Sequence, residues 1–257
     1  MSLERAQGPR DPLPTNQDRC EAPTTPLALA SEIAGLQLWL CGLERKREEI
    51  EDLTEWLSPA ERARSLSWGT DALRHRWIAG RTTLRLLLGR VLGVPPAVVD
   101  IRRGIRGRPE LADANAGIDF NVSHTGDAAL FGIARGLPRR SRIGVDIERR
   151  DRRVGVDRLA RKFLTDNERS TLADLDLRGR RARFVHYWTC KEAMSKATGD
   201  GLRAPFGRID VELRERPRLA DGPPPYAPAE WTLHDAAAPE PWVATIAIWR
   251  AAPAVTP

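Results

Sequence analysis

Lysine is nearly missing from this 257-residue chain: of 41 basic side chains only Lys46, Lys162, Lys191 and Lys196 are lysine. Cysteine is scarce as well, and Cys20, Cys41 and Cys190 stand in no metal-binding or disulfide spacing. Reduced thiols in a cytoplasmic protein are therefore expected. No stretch holds the roughly 18 uninterrupted apolar residues that a membrane span needs. The polar, Pro- and Arg-bearing N-terminus lacks the apolar core of a secretory signal. P-loop, kinase and Gly-rich dinucleotide fingerprints are absent, which leaves ordinary ATP binding without support. So is the G-x-S-x-G elbow of a serine nucleophile.

The net charge of +6 admits nucleic acid, phosphorylated ligands or an acidic protein as partner. Basic residues nevertheless sit beside acids, as in LERKREEIED at Leu43–Asp52. No aromatic-plus-basic platform accompanies them, so a mixed solvated surface is favoured over nucleic-acid binding. Arginine's abundance is explicable by a GC-rich genome, which makes the four surviving lysines less accidental.

A hydrophobic share of 41% is enough for a core. Residues 1–34 are rich in Pro, Thr, Arg and Gln without periodicity and are expected to be a disordered tail, with a second short tail at 251–257. LQLWLCGL (Leu36–Leu43) reads as a buried strand. Ser58, Pro59 and Glu61 form a capping box that opens a helix. Asp71–Gly93 is a long amphipathic helix, with Leu73, Trp77, Leu84, Leu87, Leu88 and Val91 at three- and four-residue steps. Short strands follow, and the order then repeats: strand, short helices, a long helix near 182–199 ending at Gly199, and more strands. The expected fold is α+β, two similar halves at 35–140 and 141–250, each with a long helix on a small antiparallel sheet.

Three places suggest chemistry. In GVDIE, Asp146 and Glu148 are two apart on a strand and share a face. Two adjacent carboxylates repel unless a cation lies between them, and oxygen ligands suit Mg²⁺. Taken alone, the pair reads more readily as exposed acids matched with Arg149, Arg150 or Arg152. In SHTGD, Ser123 and His124 follow an apolar strand at a turn able to offer hydroxyl, imidazole and backbone N–H groups to a phosphate; the plainer reading is an ordinary turn. On the second long helix Glu192 and Lys196 are four apart, and Lys191 is about 100° round from Glu192, on the flank of the same site. A surface ion pair is the bland alternative. Together these residues make an inventory for metal-assisted phosphate chemistry. A phosphohydrolase using the same carboxylates is a competing reading.

GRPEL, FNVSHTGD, GVDIE, KFLTDNE and WTCKEAMSKATGDGL resemble, in order and spacing, the motifs of the 4′-phosphopantetheinyl transferases. The likeness is to the larger, pseudo-dimeric class typified by the surfactin synthetase activator, and it covers residues 36–250. It implies a pseudo-twofold pair of halves. It also implies transfer of the phosphopantetheine arm of coenzyme A to a serine of an apo acyl or peptidyl carrier protein, with release of 3′,5′-ADP. By the same resemblance Asp146, Glu148 and Glu192 bind Mg²⁺, or Mn²⁺ in its place. Glu192 is the base for the carrier serine, and Lys196 contacts the transferring phosphate. Lys191, Ser123 and His124 line the coenzyme A phosphates, His124 near the 3′-phosphate. Arg108 supplies the cation of a G-K-P motif, Arg81 approaches the nucleotide end, and Arg76 is its neighbour. Cys190, at a variable position, is a bystander in the wall of the site. A cytoplasmic monomer serving polyketide, nonribosomal-peptide or fatty-acid synthesis is implied, with arginines near the cleft attracting acidic carriers.

Overall fold

In the computed structural model, which describes residues 24–104 and 106–251, one run of elements occurs twice. The first run follows a short strand β1 (Leu27–Leu29). It consists of β2 (Leu36–Gly42), helices α1 (Arg47–Thr54), α2 (Pro59–Ser65) and α3 (Asp71–Leu92), a hairpin of β3 (Ile101–Arg103) and β4 (Pro109–Leu111), then β5 (Ile118–Thr125) and β6 (Ala128–Arg135). The second run is β7 (Ser141–Arg149), α4 (Val156–Phe163), α5 (Asp166–Ser170), α6 (Leu177–Thr198), a hairpin of β8 (Asp210–Leu213) and β9 (Pro217–Asp221), then β10 (Trp231–Asp235) and β11 (Trp242–Arg250). The sheets run β1-β2-β6-β5 and β7-β11-β10. In each, the last strand of the run lies between the first and the one before last. The α+β pseudo-dimer expected from the sequence is the architecture found.

Local signals set the helix ends. Ser58 accepts from the Glu61 N–H at 3.3 Å while Glu61 accepts from the Ser58 N–H at 2.8 Å. Thr165 and Glu168 repeat this capping box at α5. Both long helices end on glycine in the left-handed region, Gly93 at φ 72° and Gly199 at φ 80°. Helix α6 begins five residues earlier than its apolar pattern suggests, at Leu177, because Asp176 caps it by accepting from the Gly179 N–H. Leu73 is not core: it is 46% exposed in the first turn of α3, ahead of Ile78, the first buried residue of that helix.

The stretch read as a tail is partly structured. Leu27 and Leu29 pair antiparallel with Leu40 and Leu38, so β1 covers the outer edge of β2 and satisfies its backbone groups. Three residues are too short a run to show in a periodicity argument. The remainder of that tail, residues 1–23 with Cys20, and residues 252–257 lie outside the described residues.

Strand alternation divides the interior into three cores. Leu36, Leu38 and Leu40 of β2 meet Ile143, Val145 and Ile147 of β7 in a seam between the two sheets. Each such buried side chain contributes about 1.5–3 kcal/mol. The intervening β7 residues Gly144, Asp146 and Glu148 point the other way, towards α6. Gly144 has no alternative: a Cβ there would lie 1.8 Å from the Ala193 carbonyl oxygen, so glycine lets α6 lie flush on β7. Trp242 is buried in the seam, and Trp39, Trp77 and Trp249 pack half-buried against the cores of the halves.

Candidate active site

Alternate residues of β5 stitch the two halves together. Asp119 accepts from the Ile143 N–H at 2.7 Å and Asn121 from the Val145 N–H at 3.1 Å. Ser123 donates to Asp146 Oδ1 at 2.6 Å, and Thr125 to Glu148 Oε2 at 2.6 Å. The period of two puts all four on the β7 side. Phe120, Val122 and His124 face the opposite way, into a cavity of about 690 Å³. The cavity is closed by α3 (Trp77, Arg81, Leu84), the loop Arg102–Arg108 and the end of α6 (Lys196, Gly199).

Lys196 stands at the junction of seam and cavity. Its ammonium donates to Asp146 Oδ1 and to Ser123 Oγ, both at 2.6 Å. Among the described residues its third N–H is uncommitted and available to a ligand. Asp146 Oδ2 and Glu192 Oε1 are buried without a hydrogen-bond partner among the described residues. Burial, reinforced by the Asp146 and Glu148 charges and opposed by Lys196, pushes the Glu192 carboxyl up to about 7. Burial also raises Glu148, against the Thr125 hydrogen bond. The Glu148 oxygens are taken by Thr125 and by Arg152, one of the arginine partners open at sequence level. Among the described residues no three acidic, His or Cys side chains converge tightly enough to form a complete cage for an ion. The donor set nevertheless fits a hard divalent cation: two buried carboxylate oxygens without a partner among the described residues, and a third acid raised chiefly by burial, are what such an ion would satisfy.

His124 opens into the cavity yet is hemmed in by protein. That crowding, with the Lys196 charge, holds its imidazole at about 4, so the ring is neutral at pH 7. Gly80 of α3 makes room for it; a Cβ there would approach Nε2 to 3.2 Å. Arg81 lines the cavity, tied to Glu61, which also receives Arg85 at 2.7 Å. Arg64, Arg102, Arg103 and Arg106 line it too, and the sequence reading missed them. Partial loss of solvent and the neighbouring Arg64 charge lower the basicity of the exposed Arg103, as expected where like charges gather. Their one sequence signal, arginine on consecutive strand and helix-end positions, is lost in a chain this rich in arginine.

Several predicted site residues lie elsewhere. Lys191 does not flank the cavity. It is fully buried, and its three N–H groups go to Glu168 Oε2 at 2.6 Å, the Phe206 carbonyl at 2.7 Å and the Phe163 carbonyl at 2.9 Å. The helical step that separates it from Glu192 turns it into the protein, towards α4 and α5. Cys190 is in the core of the second half rather than the wall of the site, and burial pushes its thiol far up, out of reactive range. Arg76 pairs with Glu44 at 3.2 Å on the exposed side of α3 and does not line the cavity. Ser123 lies beneath Lys196 rather than on the cavity wall. Arg108 borders the cavity with its guanidinium already engaged by protein.

A family model described as "4'-phosphopantetheinyl transferase superfamily" matches residues 142–247, and one described as "4'-phosphopantetheinyl transferase, N-terminal" matches residues 44–134. The 4'-phosphopantetheinyl transferase HetI of Nostoc sp. is 33% identical over 217 residues, 83% of this chain and 87% of its own. The 4'-phosphopantetheinyl transferase ffp of Bacillus subtilis is 28% identical over 68% of this chain and 74% of its own. A holo-(acyl-carrier-protein) synthase from Bacillus anthracis, solved with CoA (3',5'-ADP), aligns over 43% of this chain and 96% of its own, with 24% identity and a TM-score of 0.33. No helix among the described residues is long and apolar enough to cross a membrane.

Proposed function

The chain belongs to the 4′-phosphopantetheinyl transferase superfamily, and from that premise we propose how its side chains divide the work. The protein transfers the phosphopantetheine arm of coenzyme A to a serine of an apo carrier protein and releases 3′,5′-ADP. One observation carries the assignment of the reacting centre: two buried carboxylate oxygens without a hydrogen-bond partner among the described residues, on Asp146 and Glu192, beside a lysine at the mouth of an arginine-lined cavity.

Asp146 and Glu192 would hold Mg²⁺, or Mn²⁺, with Glu148 completing the set once Arg152 releases it. The ion's contribution is to neutralise the diphosphate of coenzyme A. Lys196, braced by Asp146 and Ser123, meets the transferring phosphate with its remaining N–H. Glu192, through its carboxylate, accepts the proton of the carrier serine. Neutral His124 gives a hydrogen bond to the nucleotide's 3′-phosphate, and Arg81, Arg64 and Arg103 supply charge around it. Both halves of the chain line the cavity, through Arg81 and His124 on one side and Lys196 and Gly199 on the other, and this favours action as a monomer. The acceptor is a carrier of polyketide, nonribosomal-peptide or fatty-acid synthesis.

The test is to incubate the protein with coenzyme A, Mg²⁺ and an apo peptidyl carrier domain and to weigh the carrier. A mass gain of one phosphopantetheine, absent with Glu192→Ala, is expected. An unmodified carrier across several acceptor classes, with coenzyme A bound, would remove the proposed acceptor.

Three further outcomes follow from the same geometry. Lys196→Arg is expected to lower kcat about 10²-fold, because a planar guanidinium cannot hold Asp146 and Ser123 and still aim a donor at the phosphate. Full activity in this variant would remove Lys196 from that role. Mg²⁺ and a proton compete for Glu192, so the Mg²⁺ affinity of the free enzyme should rise by up to about tenfold per pH unit below pH 7 and level off above it. Titration calorimetry in two buffers of different ionisation enthalpy would show the released proton; a pH-independent affinity would contradict it. Exposed Arg64, Arg103 and Arg106 at the cavity mouth should make the KM for an acidic carrier rise several-fold between about 50 mM and 500 mM salt. An unchanged KM would mean that they play no part in the encounter.

A further inference from the structure

Arg108 looks from the sequence like a coenzyme A ligand, but its guanidinium is spent on the protein. Nη1 and Nη2 donate to the two oxygens of Asp119, each at 2.9 Å. Nη2 also donates to the Ile143 carbonyl at 2.9 Å, and Nε to the Lys196 carbonyl at 3.2 Å. Among the described residues this leaves one of the five N–H groups. Asp119 is occupied as well, since its Oδ2 receives the Ile143 N–H at 2.7 Å. One ion pair thus joins four elements: the β3–β4 hairpin, β5, β7 and the last turn of α6.

The Lys196 end of this arrangement matters most. Its ammonium is held by Asp146 and Ser123, and its carbonyl is held by Arg108. A cation at the carboxyl end of α6 also complements the helix dipole. The hairpin loop packs tightly there: a Cβ on Gly199 would lie 3.3 Å from Arg106 Cβ and 3.7 Å from Arg108 Cβ. Other charged contacts reach across the seam, Arg142 to Glu110 at 3.0 Å and Arg106 to Asp200, but their arginine side chains are 41% and 56% exposed. The Arg108–Asp119 pair is a bidentate charged contact within the seam, with the Arg108 side chain 4% exposed.

We infer that Arg108 and Asp119 form a positioning pair, which locks the end of α6 against the seam and so fixes the placement of Lys196. Neither residue is a catalytic group. The inference rests on the reading of Lys196 as the contact to the transferring phosphate. Asp119 lies immediately before the FNVSHTGD stretch and is not among the residues from which the function was read.

A double-mutant cycle tests it, with Asp119→Asn, Arg108→Gln and the two combined. The readouts are kcat for an apo carrier, the dissociation constant for coenzyme A by calorimetry, and thermal unfolding. Either single change should lower kcat by about 10- to 100-fold, the range expected for a displacement near 1 Å, with coenzyme A affinity within about twofold of wild type. The double variant should be no slower than the slower single one, because each change breaks the same contact. Weaker coenzyme A binding at unchanged kcat would overturn the inference and make Arg108 a direct ligand. Multiplying effects would overturn it too.

Should Asp119→Asn fail to fold, Arg108→Lys keeps a cation in the seam without the paired geometry. Full kcat in that variant also overturns the inference, and a lowered kcat with intact coenzyme A binding supports it. Lys196→Ala is the separate control: full activity there would sink the role given to Lys196, not the existence of the pair.

Discussion

Glu192→Gln is expected to lower carrier modification about 10²–10⁴-fold while the protein stays folded. Two losses combine. The amide cannot take a proton from the carrier serine, and it replaces a buried carboxylate oxygen that a cation needs. Stability should move the other way. Burial and the Asp146 and Glu148 charges raise the folded-state carboxyl to about 7, against 4.5 when unperturbed. Between these values the folded state holds a proton that the unfolded state has lost. Wild-type stability therefore falls as pH rises from about 4.5 to 7, and the loss is complete above 7. The glutamine variant has no such loss, so in EDTA at pH 8 it should unfold at a higher temperature than wild type, with little difference near pH 4. Measuring kcat and the unfolding temperature on one preparation separates the two effects. A fully active variant, or one less stable at pH 8, would contradict the account. Such an exchange of stability for a strained, charged site is common at reacting centres.

Lys191→Met should be the most damaging single substitution outside the reacting centre. The wild-type ammonium offers three N–H groups to three acceptors and is wholly enclosed. Glu168, also buried, accepts from the Thr165 and Val211 N–H groups at 2.9 Å each as well as from Lys191. Methionine would leave Glu168 as an unpaired buried charge and strand two carbonyls. The expected cost is about 3–5 kcal/mol, a fall in Tm on the order of 10 °C. Adding Glu168→Gln should return part of that stability, because the stranded charge goes with it. If Lys191→Met instead kept its Tm and lost coenzyme A affinity, Lys191 would be a ligand after all. The preference for lysine here also has a structural cause: a tetrahedral ammonium matches three acceptors around one point, and a planar guanidinium does not.

Two lysines five residues apart in a lysine-poor chain thus have unrelated work. Lys196 lines the cavity, and Lys191 joins α6 to the segments around α4 and α5. Neither local composition nor helical spacing separates them, because what differs is which side of α6 each one faces, and the sheet and the small helices around α6 decide that. Arg108 shows the same limit. A cation in GRPEL is visible in the sequence, but only the fold brings Asp119 and the ends of β7 and α6 up to its guanidinium.

Read by itself, the sequence was sufficient for whatever depends on nearby residues and on period. Capping boxes at Ser58 and Thr165, glycine ends at Gly93 and Gly199, and the shared face of Asp146 and Glu148 are local physics, set within a few residues. The repeated order of strand, helices and strands followed from the same signals, and the motifs identified the family. The tertiary structure alone decided which charges are spent and which are free. Pairing of Arg108 with Asp119 spans 11 residues, of Arg81 with Glu61 20 and of Lys191 with Glu168 23, each within one half of the chain. Charge partners are chosen by three-dimensional distance and burial, neither of which has a period that a linear chain can display.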